Sequence, residues 1–258
     1  MSYAKHQLHG DAVAIVTMDR EDRLNALSVE LVEDVLAELH AVEQMEKVRS
    51  VVLTGAGRAF CSGGDLGDIG SRVAGGEPQT RLAVMRSLHR LIVALRDSRL
   101  PVVAAIHGPT YGAGVSVALA CDLLVASRDA SFCEVFVRRN LVPDLGSAWL
   151  LPRAIGTQAA KELMFLGDAI SAEQAERLGL VNRVVETPAD ALAEALSMAE
   201  SMTATLPATM AMTKGLVNRS QGLTLEDALR LEEHAQAIAL GTEQTLAAMR
   251  AFLEQGDK

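Results

Sequence analysis

The sequence predicts an α/β fold, and three observations carry that prediction. Short apolar runs that suit buried strands alternate with longer segments of helical spacing through most of the chain. Hydrophobic residues make up 49% of the 258 residues while aromatics make up 3%, so the core must be built from Ala, Val, Leu, Ile and Met. Such a composition favours helices packed on buried strands over an all-β sandwich. Two of the apolar runs are followed by glycine-rich turns, and open parallel sheets bind ligands beyond the carboxyl ends of their strands. At this length the chain buries roughly 70 to 75% of its unfolded surface, enough for one large domain or two smaller ones.

Taken in order, residues 12–18 alternate weakly between Gly10-Asp11 and Asp19-Arg20, the pattern of a strand. Ser28 is placed to cap the next helix, with Glu30 in its first turn and Leu31, Val35, Leu36 and Leu39 on one face. Residues 48–54 read as a second buried strand. The first glycine-rich turn follows, Gly55-Ala-Gly-Arg-Ala-Phe-Cys-Ser-Gly-Gly-Asp65-Leu66. Residues 68–80, with Gly70, Gly75, Gly76 and Pro78, have no usable periodicity and read as a mobile loop. Helical spacing returns over residues 81–95 through Leu82, Met85, Leu88, Ile92 and Leu95.

Residues 101–122 are the stretch around which the rest is organised. An apolar strand through Ile106 is broken by Gly108-Pro109, and Gly112-Ala113-Gly114 then opens a helix that continues from Val115 to Leu119. The first amides of a helix have no partner within it and form the positive end of its dipole, so they can hold an anion or a developing oxyanion. Tight helix packing is the competing reason for these glycines. A dinucleotide fingerprint is excluded because Val117 stands where a third glycine belongs, and no Gly-Lys-Ser/Thr follows to make a P-loop. Gly114-Val-Ser116-Val-Ala118 is one residue away from a nucleophile elbow, but an elbow follows its strand directly and residues 107–113 intervene here.

Further on, residues 123–126 form a short strand, residues 140–146 a turn and residues 147–153 a short helix. Ser171-x-x-Gln174 is a capping box, and Thr187-Pro188-x-Asp190 pairs a cap with proline at the first helical position. From there the pattern is helical alone, over residues 189–203, 207–218, 225–240 and 243–253. The expected division is a core at 1–187 and a helical region at 188–258 whose Leu225, Leu229, Ile238 and Leu246 faces must be covered.

A net charge of −9 without a Lys/Arg cluster argues against nucleic acid as a partner. Cys61, Cys121 and Cys133 are odd in number and lack Cys-x-x-Cys spacing, so neither a disulfide framework nor a zinc site is expected; Cys61 and Cys121 read as small buried hydrophobes. The polar start does not read as a signal peptide, and no apolar run approaches the ~20 residues of a membrane span. A reducing cytoplasm is the expected location. His107, before Gly108, reads as a hydrogen-bonded turn residue.

Several motifs in a fixed order resemble the enoyl-CoA hydratase/isomerase family, the crotonase superfamily. They are Arg23-Leu-Asn-Ala-Leu27, Ala59-Phe-Cys-Ser-Gly-Gly-Asp-Leu66, residues 108–122, and residues 167–185 with Ser171-Ala-Glu-Gln-Ala and Gly179-Leu-Val. The resemblance implies a crotonase-like spiral of ββα turns followed by a helical trimerisation region, hence a homotrimer or a dimer of trimers. It implies an acyl-CoA substrate, no cofactor beyond the coenzyme A of that thioester, and no metal or membrane partner. Carried over by position, the amides of Gly64 and Ala113 hold the thioester oxygen, and Arg23, Ala26, Ser62, Gly64, Asp65 and Leu66 surround the coenzyme A. Residues 66–86, a loop in this reading, are expected to wall the acyl pocket.

Hydratases of the family use two glutamates, and Ser116 and Phe136 stand at those positions here. Residues 132–153 resemble instead the isomerase branch associated with phenylacetate degradation, which puts the acid/base on Asp144; a related position supplies the nucleophilic aspartate of aryl-CoA dehalogenases. By its local sequence alone Asp144 is a turn residue or a cap. Glu134 is the alternative acid/base, its face left open by strand alternation, and Leu145 with Trp149 is expected to make the surroundings of Asp144 apolar. The resulting expectation is an enoyl-CoA isomerase. Hydration, hydrolysis or dehalogenation of an acyl-CoA on the same fold is one alternative, and a non-catalytic CoA-binding assembly protein is the other.

Overall fold

Alternating apolar residues that are buried on both sides decide the central sheet. In a computed structural model that describes residues 2–256, the strand order is β1 (Ala4–His9), β2 (Val13–Met18), β3 (Ser50–Gly55), β4 (Val102–Ile106), then two strands reached later in the chain. Only β1 runs antiparallel to its neighbour. On β2, Ala14, Val16 and Met18 enter one apolar cluster and Val13 and Ile15 another, which is what period-two side chains do when both faces are covered. The sequence reading missed β1, because Ala4-Lys-His-Gln-Leu-His9 shows no apolar alternation; it is an edge strand held by backbone pairing to β2 from Ala4↔Met18 to His9↔Val13.

Helix α1 (Val29–Glu43) begins where expected: the Ser28 side chain accepts from the Leu31 amide, and Leu31, Val32, Val35, Leu39 and Val42 are buried. Residues 68–80 are not a loop. Asp65 caps a further helix, α2 (Leu66–Val73), by accepting from the amides of Gly67 and Asp68, and α3 (Pro78–Asp97) follows with proline in its first turn. Gly67 and Gly70 hid a helix capped from Asp65, and only residues 74–77, with Gly75 and Gly76, form a turn.

After β4 the chain places β5 (Pro109–Tyr111) and α4 (Ala113–Ala120), then β6 (Leu123–Ser127) and β7 (Ser131–Cys133). Next come α5 (Ser147–Ile155), α6 (Thr157–Leu166), β8 (Ala169–Ser171), α7 (Ala172–Leu178) and β9 (Arg183–Val185). Strands β6 and β9 complete the large sheet beside β4, and β5, β7 and β8 form a small second one. Two passes, β4–β5–α4 and β6–β7–α5, thus lay one strand in each sheet before a helix, the strand–strand–helix turn that the resemblance implies. The ends of β4 and β6 are clamped together, the Asp122 carboxylate accepting from the Val102 amide at 2.8 Å while the Asp122 amide donates to the Val102 carbonyl at 2.8 Å.

Helix α8 (Pro188–Met202) corrects the expected division at residue 187. Its Ala191, Ala195 and Ala199 are buried against Val13, Ile15, Val52, Val103, Ala105 and Val125 on the large sheet. Alanine at every fourth position lets a helix lie close on branched strand residues, so α8 completes the core. The first compact unit accordingly extends through Ala204. The second, from Thr205, holds α9 (Pro207–Ser220), α10 (Leu225–Leu240) and α11 (Glu243–Gly256). No residue of α10 is buried, and Leu225, Ile238 and Phe252 are 72%, 63% and 75% exposed. Among the described residues no helix is long and apolar enough to cross a membrane.

Candidate active site

The second glycine turn is built by backbone constraints. Gly112 has φ +49° and ψ −115°, a region that side chains rarely adopt, and its amide donates to the Cys133 carbonyl at 2.7 Å. A Cβ on Gly114 would stand 2.1 Å from the Cys61 carbonyl oxygen, so the start of α4 can lie against the first glycine turn only with glycine there. Close packing is therefore part of what these glycines do. It also fixes Ala113 as the first residue of α4, with an amide that has no acceptor among the described residues.

The first turn is stitched to its neighbours on both sides. Phe60 N donates to His107 O at 2.8 Å and Tyr111 N to Cys61 O at 3.1 Å; Ser62 N donates to Leu24 O, Leu27 N to Gly63 O and Asp65 N to Leu27 O. A Cβ on Gly63 would be 2.8 Å from the Tyr111 carbonyl oxygen and 3.9 Å from the Ala113 nitrogen, a measure of how closely the two turns approach. The Gly64 amide, like that of Ala113, has no acceptor among the described residues. Two unused donors on adjoining, rigidly held turns are what an oxyanion requires.

Around the first turn, the residues expected at coenzyme A divide into two groups. Asp65 is occupied: besides capping α2, it pairs with Arg20 at 2.7 Å, and the amides of Gly67 and Asp68 with the Arg20 guanidinium hold its carboxyl below the usual carboxylate range. Arg20 also donates to the Ala26 carbonyl at 3.0 Å, and the Ser62 hydroxyl donates to the Arg23 carbonyl at 3.4 Å. Arg23 and Leu66 are exposed, Arg23 lying 3.8 Å from the Asp22 carboxylate and Leu66 opening α2. Asn25, quoted only as part of a motif, proves central. Fully buried at φ +54°, it donates to the carbonyls of Ala56 and Ala59 and accepts from the Arg20 amide, tying residues 20–26 to the first turn. His107 is the turn residue expected, its Nε2 bonded to the Gly57 carbonyl, and burial lowers its pKa. Burial pushes the Cys61 thiol up to about 12, so it is no nucleophile.

The carboxyl side of the site joins α4, the end of β7 and the loop before α5. Ser116, one turn into α4, donates its hydroxyl to the Asp144 carbonyl at 3.0 Å. The Ser147 amide donates to the same carbonyl at 3.0 Å, and the Ser147 hydroxyl donates to Glu134 Oε1 at 2.7 Å. Glu134 therefore faces inward, 1% exposed. Its Oε2 and Asp144 Oδ1 are both buried without a hydrogen-bond partner, as is Thr110 Oγ1. Desolvation raises the Asp144 pKa, opposed by the His89 charge on α3. Leu145 is buried beside it as expected, but Trp149 stands half-exposed between the guanidiniums of Arg96 and Arg153, at 5.0 and 4.0 Å from the ring centre. The cation–π attraction of two arginines draws the ring to the surface.

Comparison with known proteins places this geometry among related ones. The model of the enoyl-CoA hydratase/isomerase family matches residues 9–258. The 1,2-epoxyphenylacetyl-CoA isomerase of Escherichia coli (strain K12) is 34% identical over 243 residues, 93% of this chain and 92% of that protein. An enoyl-CoA hydratase of Polaromonas sp. JS666 has a solved structure that superposes with a TM-score of 0.91 at 35% identity, covering 98% of this chain and 97% of that one. An enoyl-CoA hydratase of Bacillus anthracis superposes with a TM-score of 0.90 at 29% identity, covering 98% and 96%.

Proposed function

We propose that this chain, which belongs to the enoyl-CoA hydratase/isomerase family of the crotonase superfamily, moves the double bond of an enoyl-CoA thioester. The amides of Gly64 and Ala113 donate to the thioester oxygen as it becomes an enolate, each donor supplying about 2.7 to 4 kcal/mol. Asp144 takes a proton from C2 of a 3-enoyl-CoA and returns it at C4, giving the 2-enoyl isomer, a general-base contribution of roughly 100- to 10,000-fold. The observation that carries this reading is the Asp144 carboxyl. It has a buried oxygen with no partner, and its backbone is held by Ser116 on the helix that Ala113 opens. Favouring isomerisation over hydration, Ser116 and Phe136 occupy the positions where the family's hydratases carry glutamates, and neither can activate water. Hydration is kept as the second reading because relatives with this fold are named hydratases and Glu134 supplies a second inward carboxyl.

Incubation with 2-enoyl- and 3-enoyl-CoA in deuterated water separates the readings. Isomerisation gives transfer of the double bond with deuterium at C2 and C4. A 3-hydroxyacyl-CoA product replaces the reading with hydration, free coenzyme A with hydrolysis, and binding without exchange with a non-catalytic role. The same reading carries Arg23, Ala26, Ser62, Asp65 and Leu66 as the wall of the coenzyme A site, and α2 with the start of α3 as the wall of the acyl pocket. It also carries the exposed apolar faces of α10 and α11 as surfaces covered in a trimer or a dimer of trimers, a role that a stable monomer in light scattering at micromolar concentration would exclude.

A further inference from the structure

We propose that Glu134 and Asp144 form an electrostatically coupled acid pair that carries one proton at rest, in which Glu134 is a positioning residue that sets the charge of Asp144 beside the Ser147 turn. The inference rests on the acid/base role of Asp144 and concerns the same site. Three observations lead to it. Ser147 bonds both partners, its hydroxyl to Glu134 Oε1 and its amide to the Asp144 carbonyl. Each carboxyl keeps one buried oxygen without a partner, so the two do not bond each other, a costly arrangement for two ionised groups and a tolerable one when one of them is neutral. Among the described residues no guanidinium or ammonium bonds either one; Ser147 on α5, His89 on α3 and Cys133 on β7 act on the pair, and Arg138 is bonded to Asp168.

Position decides which partner keeps the proton. Glu134 is almost wholly enclosed, and desolvation, with the Asp144 charge adding to it, raises its pKa to about 7 despite the Ser147 hydrogen bond. Asp144 is less enclosed and is favoured as an anion by His89, so it releases its proton first. The resting pair is then ionised Asp144 beside neutral Glu134. Asp144 can take a substrate proton without a second buried charge beside it that would hold the proton and slow its return.

Infrared difference spectra of wild type against Glu134→Gln isolate the carbonyl stretch of protonated Glu134 in the free protein. The band is expected at about pH 6 and lost as pH rises through about 7. In Asp144→Asn, which removes the neighbouring charge, the loss moves to lower pH; in Ser147→Ala, which removes the donor to Oε1, it moves to higher pH. In turnover, the wild-type kcat declines above neutral pH as Glu134 ionises, and Glu134→Gln keeps the acid limb of the profile but loses this alkaline one. No Glu134 band at about pH 6, or a band whose titration does not move in Asp144→Asn whatever Ser147→Ala does, overturns the pair. Because the spectra need no substrate, that result is distinct from a failure of Asp144→Asn to affect isomerisation, which overturns the acid/base assignment instead.

Discussion

The amide side and the carboxyl side of the site are built on opposite principles. On the amide side the geometry is over-determined: Gly112 takes a backbone conformation closed to other residues, Gly114 leaves no room for a methyl, and Asn25 pins a third segment with three hydrogen bonds. On the carboxyl side hydrogen-bonding capacity is left unused, with Asp144 Oδ1 and Glu134 Oε2 buried and unpartnered. An oxyanion hole works by being in place before charge develops, so rigidity serves it. A general base must hold and release a proton, so an environment that keeps both of its states within reach serves it better.

If the division is right, removing the proton acceptor has the largest effect. Asp144→Asn keeps the shape of the loop and the carbonyl that Ser116 and Ser147 bond, and steady-state kinetics should show kcat reduced by roughly 100- to 10,000-fold with acyl-CoA binding nearly unchanged. Desolvation has raised the Asp144 pKa, so wild-type kcat/KM should fall as pH drops through that raised value and not only below the ordinary carboxylate range. Ala113→Pro addresses the amide side. Proline is tolerated at the first helical position and replaces the N–H with a ring carbon, so circular dichroism should stay close to wild type while kcat falls roughly 100- to 1,000-fold. Full activity in this variant would dissolve the distinction between the two sides.

The next effect is on stability. Glu134 holds its proton to about 7 in the folded state, whereas the unfolded chain releases it near the ordinary glutamate value of about 4.3. The folded state thus binds more protons between these values, and stability falls as pH rises across that window and levels off above it. Glu134→Gln escapes this loss, so denaturant titration should find it more stable than wild type at pH about 8 by roughly 2 to 4 kcal/mol, with the difference closing near pH 4. The smallest effect is that of Ser116→Ala, which loses one hydrogen bond to the Asp144 carbonyl, about 1 kcal/mol or roughly a fivefold drop in kcat. A drop as large as that of Asp144→Asn would instead give the hydroxyl a part in the chemistry.

Local patterning alone determined much of the first compact unit. The cap at Ser28, the capping box at Ser171, the cap at Thr187, the strands β2, β3, β4 and β6 and the helix opening at Ala113 depend on residues a few positions apart, and a reader of the chain can see them. Resemblance of ordered motifs supplied the acyl-CoA site that periodicity could not. Tertiary structure decided the rest. Edge strand β1 owes its state to pairing with β2, and α2 to a cap and an ion pair that Asp65 makes with distant Arg20. Helix α8 joins the core because the opposite face of the sheet needed a cover, a fact invisible in a run of alanines. The inward face of Glu134 was undecided for the same reason: it depends on Ser147, thirteen residues on, and the cost of burying a charge is set by every group around it and not by its neighbours in the chain.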